Sequence, residues 1–291
     1  MAKTKEIRKR IKGVEATSKI TKTMELVATS KLKRAQDRMH ATRPYAAALR
    51  RLLLSLSALP AESLPALMRQ PAETKTISVL LITSNRGLCG SFNSNLVKLA
   101  RSHYEAEVEK GRTVDLYVAG KKGISFFRYR KVPMKETFTS FSDKPSFADA
   151  ESLASKFIDL FLTGAVQRVD VIYSRFESAS RQVPVVVPVI PVAKDAPAGA
   201  VSKETIDFIF EPEPGLILEE LLPLYAKTMF LGALVESQAG EQSARRIAMK
   251  AATENANELL KSLRRTYNKA RQAQITQELA EIMGGVEALK G

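Results

Sequence analysis

The chain has 291 residues, room for one large domain or two small ones, and its 45% apolar and 26% charged residues give a globular balance. Its single cysteine, Cys89, excludes a disulfide framework, and with His40 and His103 as the only histidines almost no room is left for a His/Cys metal cluster. A formal charge of +14 points to anionic partners or acidic neighbouring surfaces.

The charge is unevenly placed. Residues 1–50 carry 14 Lys/Arg against 4 Asp/Glu, residues 51–240 carry 22 against 21, and residues 241–291 carry 9 against 6. The excess belongs to the two ends. The longest apolar runs, Leu52 to Leu59 and Val183 to Ala193, are too short to span a membrane, and the second holds Pro184, Pro188 and Pro191. The basic N-terminus lacks an apolar core for a secretory signal, and Glu6, Glu15 and Glu25 weigh against a transit peptide, so a reducing cytoplasm is the expected setting.

Residues 1–60 read as one long helix rich in Ala, Lys, Arg, Leu and Met, with Pro44 expected to kink or interrupt it. Ile7, Ile11 and Val14 step by four and three; Ile20, Met24 and Val27, then Leu32, Ala35 and Met39, repeat the step on shifted faces. Such drift suits either a seam that wanders around a long twisted pairing or an ordinary amphipathic helix split at Pro44.

Residues 73–211 change texture. Ile77 to Ile82 is a continuous apolar run, as in a parallel strand covered on both faces. A helix carrying Leu96, Val97, Leu99 and Ala100 follows and ends at Gly111; Val114 to Ala119 reads as a second strand. Ser146 with Asp149 marks a helix start, with Leu153, Phe157, Ile158 and Phe161 as its buried stripe. Val169 to Tyr173 and Phe208 to Phe210 read as further strands, and the proline-rich stretch 183–201 as a loop or an edge element. Alternating strands and helices predict a three-layer α/β domain with a mainly parallel sheet.

Residues 212–291 return to helix-forming composition. Ile275, Leu279, Ile282, Val286 and Leu289 step 4-3-4-3, the spacing of a coiled-coil seam, and Ala244, Ala248, Ala251 and Ala252 allow close helix approach. A helix over 216–289 is about 110 Å long, too long for a domain of this size to bury, so its expected companion is the N-terminal helix, antiparallel to it.

Candidate chemistry is sparse. The loop Ser84 to Ser91 sits between a strand and a helix, where phosphate loops lie, but it has only Gly87 and Gly90 beside Arg86 and matches neither the P-loop nor the dinucleotide fingerprint. A tight turn is the simpler account of its glycines, and Cys89 reads as a packed thiol. The basic run Lys3, Lys5, Arg8, Lys9, Arg10 and Lys12 beside a coiled coil has the layout of a zipper DNA reader, but no sustained heptad follows it directly, and a solvated charged face is the default.

Three strings at the ends and one in the middle carry a resemblance. ITKTMELVATSKLKRAQ (Ile20 to Gln36), GEQSARRIAMKAATENA (Gly240 to Ala256), NKARQAQITQELAEIMGG (Asn268 to Gly285) and SNRGLCGSFNSNL (Ser84 to Leu96) resemble, in order and spacing, the gamma subunit of F-type ATP synthases. The resemblance implies a non-catalytic central rotor stalk without cofactor or metal. Its terminal helices would form an antiparallel coiled coil inside a hexamer of alpha and beta subunits (3:3:1), and its middle a five-stranded α/β domain meeting the epsilon subunit and the c-subunit ring. No nucleic acid is implied, and the place is the cytoplasmic face of a bacterial plasma membrane, peripheral to it. By position, Met24, Arg245, Gln272, Thr276 and Glu278 would make rotor–stator contacts with the beta subunits, and Ile282, Val286 and Leu289 would form a hydrophobic bearing tip. Val286 stands where the family usually has Ala. With Cys89 alone, the regulatory cysteine pair of the chloroplast members is absent, which favours a bacterial source.

Overall fold

A computed structural model describes residues 2–56, 65–71, 73–141, 145–192 and 214–288. The expected strand at Phe208 to Phe210 and the tip residue Leu289 lie outside them. The chain divides into two compact units, residues 1–28 with 245–291, and residues 29–244. Both dividing points fall within the terminal helices, α1 (Ala2–Leu56) and α5 (Pro214–Ala288).

In the unit of residues 29–244, strands β1 (Thr76–Ile82), β2 (Thr113–Ala119), β3 (Glu136–Phe138), β4 (Arg168–Phe176) and β5 (Gln182–Ile190) form one sheet in the order β3-β2-β1-β4-β5. β1 pairs in parallel with β2 and β4, and β2 with β3; only β4 and β5 are antiparallel. Because side chains alternate along a strand, the apolar run of β1 serves two layers. Ile77, Val79 and Leu81 join α2 (Phe92–Glu109) and α3 (Lys121–Tyr129) through Leu96, Ile124 and Phe127. Leu80 and Ile82 join α4 (Phe147–Leu162) and the basal segments of α1 and α5 through Phe157, Leu53, Leu222 and Phe230. This is the expected three-layer arrangement.

Particular contacts fix the layers. Phe157 of α4 stacks on Phe230 of α5 (5.5 Å between centroids) and meets Tyr117 of β2 edge-on (5.0 Å). The start of α4 is a capping box: Asp149 N–H donates to Ser146 Oγ (3.2 Å), and Ser146 N–H to Asp149 Oδ2 (2.8 Å). Gly240 lets α5 lie close to β4, since a Cβ there would come 3.0 Å from Ser174 Oγ. Gly120, at φ +96°, is required after β2: a Cβ would lie 2.2 Å from the Thr83 carbonyl oxygen.

Some expectations change. Of the two outcomes expected of Pro44, interruption does not occur: α1 continues through it to Leu56. The hydrogen bond that proline removes belongs to the carbonyl of His40, an exposed residue that water can serve, and Leu49 and Leu53 are buried in the core beyond it. The proline-rich stretch is the edge element of the two alternatives as far as Ile190; at an edge, the missing N–H groups of Pro184 and Pro188 are tolerated. α3 and β3 were not expected, because nine and three residues are too short for periodicity to show.

A buried charge network joins α2 to β4. Glu107 and Asp170 are 3% and 2% exposed. The Arg168 guanidinium donates to both, at 3.1 Å and 2.8 Å. Lys110 (3.0 Å) and Arg112 also reach Glu107, and His103 Nε2 lies 2.9 Å from Asp170 Oδ2. Burial pushes the Glu107 carboxyl up, but hydrogen bonds from Lys110, Arg112 and Arg168 outweigh it and hold it at about 2. A carboxyl held low when folded stabilises fully above its unfolded value of 4.5, and that stabilisation is lost as pH falls toward 2. Glu107→Gln, which removes the buried carboxylate from three cations and leaves half-buried Arg168 with Asp170 alone, is therefore expected to cost about 3 kcal/mol in urea unfolding at neutral pH. It should also flatten the loss of stability across that acid window.

Candidate functional site

The unit of residues 1–28 with 245–291 is a helix pair. Along α1 an unbroken 4-3 heptad of buried and half-buried positions runs through Ile7, Ile11, Val14, Ser18, Thr21, Glu25 and Ala28, with Thr4, Glu15 and Met24 half-buried beside it. The same spacing runs on to Leu32, Ala35 and Met39, which in the other unit pack with Val235, Ala239 and Phe176. Along α5 the matching positions are Met249, Thr253, Ala256, Leu260, Leu263, Tyr267, Ala270 and Gln274. The seam therefore does not drift. Ile20 and Val27, expected on it, are 60% and 50% exposed, and the polar Ser18, Thr21 and Glu25 hold the face instead. A sustained heptad does follow the basic run, contrary to the sequence reading, but its partner is the chain's own C-terminal helix and not a parallel zipper.

Polar bonds across the seam set direction and register. Thr4 Oγ1 donates to Gln274 Oε1 (3.1 Å), Arg264 to Glu15 Oε1 (2.7 Å) and Ser18 Oγ to Asn257 Oδ1 (2.9 Å), and the Thr21 and Thr253 hydroxyls meet at 2.8 Å. The two numbers of every pair add to between 274 and 279, so the helices are antiparallel without slippage. Thr21 Oγ1 also lies 3.1 Å from the Ser18 carbonyl, and Thr253 Oγ1 2.8 Å from that of Met249. One hydroxyl thus bonds its own helix while the other donates across.

Met24 is half-buried in this pair, beside the Lys22–Glu25 ion pair (3.1 Å). Next to it lies a groove of about 750 Å³ lined by Lys19, Lys22, Glu25, Lys250, Glu254 and Asn257, among others. Arg245 is only 8% exposed. Gln272 and Thr276 are exposed and share one face, Thr276 Oγ1 donating to the Gln272 carbonyl at 3.0 Å; Glu278 Oε1 accepts from Gln274 at 2.9 Å. Glu278, two residues past Thr276, lies on nearly the opposite side of the helix, and Arg245 stands about 40 Å away along it. Ile282 and Val286 are 63% and 46% exposed. The run Ile275-Leu279-Ile282-Val286 is not an intrachain seam: it lies one residue, about 100° of helix, off the line that ends at Gln274.

The loop Ser84 to Ser91 is committed to its own turn. Ser84 N–H donates to Asn93 Oδ1 (3.0 Å), Ser84 Oγ to the Arg86 carbonyl (2.6 Å), and Leu88 and Gly90 both take positive φ. Cys89 is 2% exposed and its sulfur accepts from Asn93 Nδ2 at 3.1 Å, a packed thiol. The cavity beside the loop, lined by Thr83, Asn85, Arg86, Gln238 and Glu241, holds about 50 Å³, far below the several hundred that a nucleotide fills. Among the described residues no cluster of His, Cys, Asp and Glu could hold a metal, and no helix is long and apolar enough to cross a membrane. The groove residues Lys19, Lys250, Glu254 and Asn257 escaped the sequence reading; their signal was the polar seam they flank.

The family described as ATP synthase matches residues 3–289. The ATP synthase gamma chain of Gemmatimonas aurantiaca is 50% identical over the full length of both chains, and that of Leptospira biflexa is 43% identical over 99% of this chain and all of the relative. Among solved structures, the central stalk and c-ring of the Tetrahymena thermophila mitochondrial ATP synthase matches with a TM-score of 0.59 and 26% identity over 80% of this chain and 99% of that one. A chain in the F1/c-ring structure of the Euglena gracilis enzyme matches with a TM-score of 0.68 at 20% identity, over 99% of this chain and 95% of that one, which speaks for the fold.

The seam geometry makes a double-mutant prediction. Thr21→Val leaves the Thr253 hydroxyl its own-helix carbonyl, so each single valine variant is expected to lose about 1 kcal/mol, and the pair less than the sum of the two. Thermal unfolding of the four proteins measures this coupling; strict additivity would mean the hydroxyls do not act together.

Proposed function

Because the chain belongs to the ATP synthase family as a gamma chain, we propose that it is the central rotor-stalk subunit, carrying rotation of the membrane c ring to catalytic sites on other subunits. The full-length match to gamma chains carries this reading. The partners are alpha and beta subunits in a 3:3:1 complex, the epsilon subunit and the c ring, at the cytoplasmic face of a bacterial plasma membrane. The chain supplies shape and stiffness, and the chemistry happens elsewhere.

A lopsided axle inside three chemically identical sites makes each rotor angle favour a different set of their conformations. Moving three charges through roughly 150 mV releases on the order of 10 kcal/mol per ATP, which the axle must transmit without losing register. Bonds such as Arg264–Glu15 and Thr21–Thr253 resist slippage of one helix along the other. Met24, with the charged groove beside it, would be one stator contact; Arg245, Gln272, Thr276 and Glu278 would make others. The exposed Ile282 and Val286, with Leu289 after them, would turn in an apolar sleeve made by the hexamer. The basic N-terminal stretch complements acidic surfaces around it and sets register more than affinity.

The purified chain alone should hydrolyse no ATP, yet its omission from a reconstituted complex should abolish rotation-coupled synthesis; robust hydrolysis by the single chain would refute the assignment. Met24→Lys adds a cation beside the Lys22–Glu25 pair. It is expected to leave assembly intact and lower the protons pumped per ATP hydrolysed. Dye-quenching assays on inverted vesicles read that ratio, and an unchanged value would remove Met24 from the coupling contacts.

A further inference from the structure

The near-neutral middle of the chain hides a one-sided stretch. Between Asp115 and Glu136 the twenty residues include Lys121, Lys122, Arg128, Arg130, Lys131 and Lys135 and no acid. The structure sets most of them on the outer face of α3 and the turn after it. Lys121, Lys122, Arg128, Arg130 and Lys131 are all exposed. Lys135 pairs with Asp115 at 3.5 Å, but the side chains of Arg128, Arg130 and Lys131 form no ion pair or hydrogen bond among the described residues. Between them stands Tyr129, 84% exposed and the most exposed large apolar side chain described in the protein.

Local stability does not account for this group. Arg128 in the last turn of α3 is well placed against the helix dipole, which explains one charge. The turn is a Schellman closure, with Lys131 N–H bonded to the Arg128 carbonyl and Val132 N–H to that of Phe127, both at 3.1 Å. The left-handed position of such a closure usually falls to glycine, but here it is Lys131, at φ 54°. A strained lysine where glycine is free of strain, next to an exposed tyrosine between two arginines, marks a surface shaped for a partner. Tyr and Arg are the side chains that carry most binding energy at protein interfaces.

We propose that Arg128, Tyr129, Arg130 and Lys131 dock an acidic protein segment of another subunit of the complex, the carboxylates pairing with the three cations while the tyrosine ring is covered. This rests on the rotor-subunit reading above. Charge complementarity selects the partner's sign, and the solvent-facing aromatic selects a surface that covers it.

The test replaces Tyr129 by photoreactive p-benzoyl-phenylalanine in the assembled complex in native membranes. Expected is a crosslink to an Asp/Glu-bearing peptide of another subunit, with a yield that falls about tenfold when Arg128→Glu, Arg130→Glu and Lys131→Glu are added. Lys131→Gly is expected to raise the thermal midpoint and lower the yield. A crosslink to phospholipid, a crosslink to a segment without acids, a yield indifferent to the charge reversals, or no crosslink overturns the proposal. Co-purification with alpha and beta is scored separately: a chain that assembles without crosslinking fails only here, and one that does not assemble fails on both counts.

Discussion

Register between the terminal helices is the constraint on which the helical unit depends, and buried polar groups hold it. A seam made only of Leu and Ile would be more stable, but apolar contacts lack direction, and a two-helix pair could then slip by a heptad at little cost. The Thr21 and Thr253 hydroxyls, 2.8 Å apart, match in one alignment only. Ser18 with Asn257 and Thr4 with Gln274 repeat that specification along the pair. Small seam residues such as Ala28, Ala256 and Ala270 bury little area, so the pair exchanges stability for a defined alignment.

The globular unit solves a different problem. Its sheet is covered on both faces, and the second layer is supplied in part by the basal segments of the terminal helices. Leu53 and Phe230 are core residues as much as Leu80 and Phe157 are. The junction of His103, Glu107, Arg168 and Asp170 then fixes α2 against β4 where apolar packing alone would leave the angle free. Breaking one member strands the others in a dry place, which makes the junction costly to disturb even if its net contribution is small.

What the sequence made legible follows from signal length. β1, β2, β4, α2 and α4 each offered an apolar run of five or six residues, a helical stripe or a cap such as Ser146–Asp149, and they stand within a few residues of where they were expected. The antiparallel helix pair was legible, but its seam was misjudged, because an apolar template passes over Ser18, Thr21 and Glu25 and picks out the nearby Ile20 and Val27 instead. The charge junction was missed although its signal was present: Arg168 and Asp170 share one face of β4, and His103 and Glu107 lie four apart on α2. The family resemblance named site residues that periodicity had no means to find, and the structure sets Gln272 and Thr276 on one face, Glu278 on nearly the opposite side, and Arg245 far from them and largely buried.

The apolar tip argues for a partner by its phase. If Ile275, Leu279, Ile282 and Val286 continued the seam, they would extend the intrachain pairing and need nothing else. They lie instead a residue off that line, with Met283 beside them at 71% exposure. A contiguous apolar strip of this kind is unfavourable in water and is ordinarily covered in the working state of a protein. Gly284 and Gly285 within it lower helix propensity, so a covering surface would favour the order of the tip as well as its burial. A smooth apolar sleeve meets both needs without fixing the angle about the helix axis. A polar socket would supply directional bonds and hold one angle, and a turning shaft has to avoid that at its end.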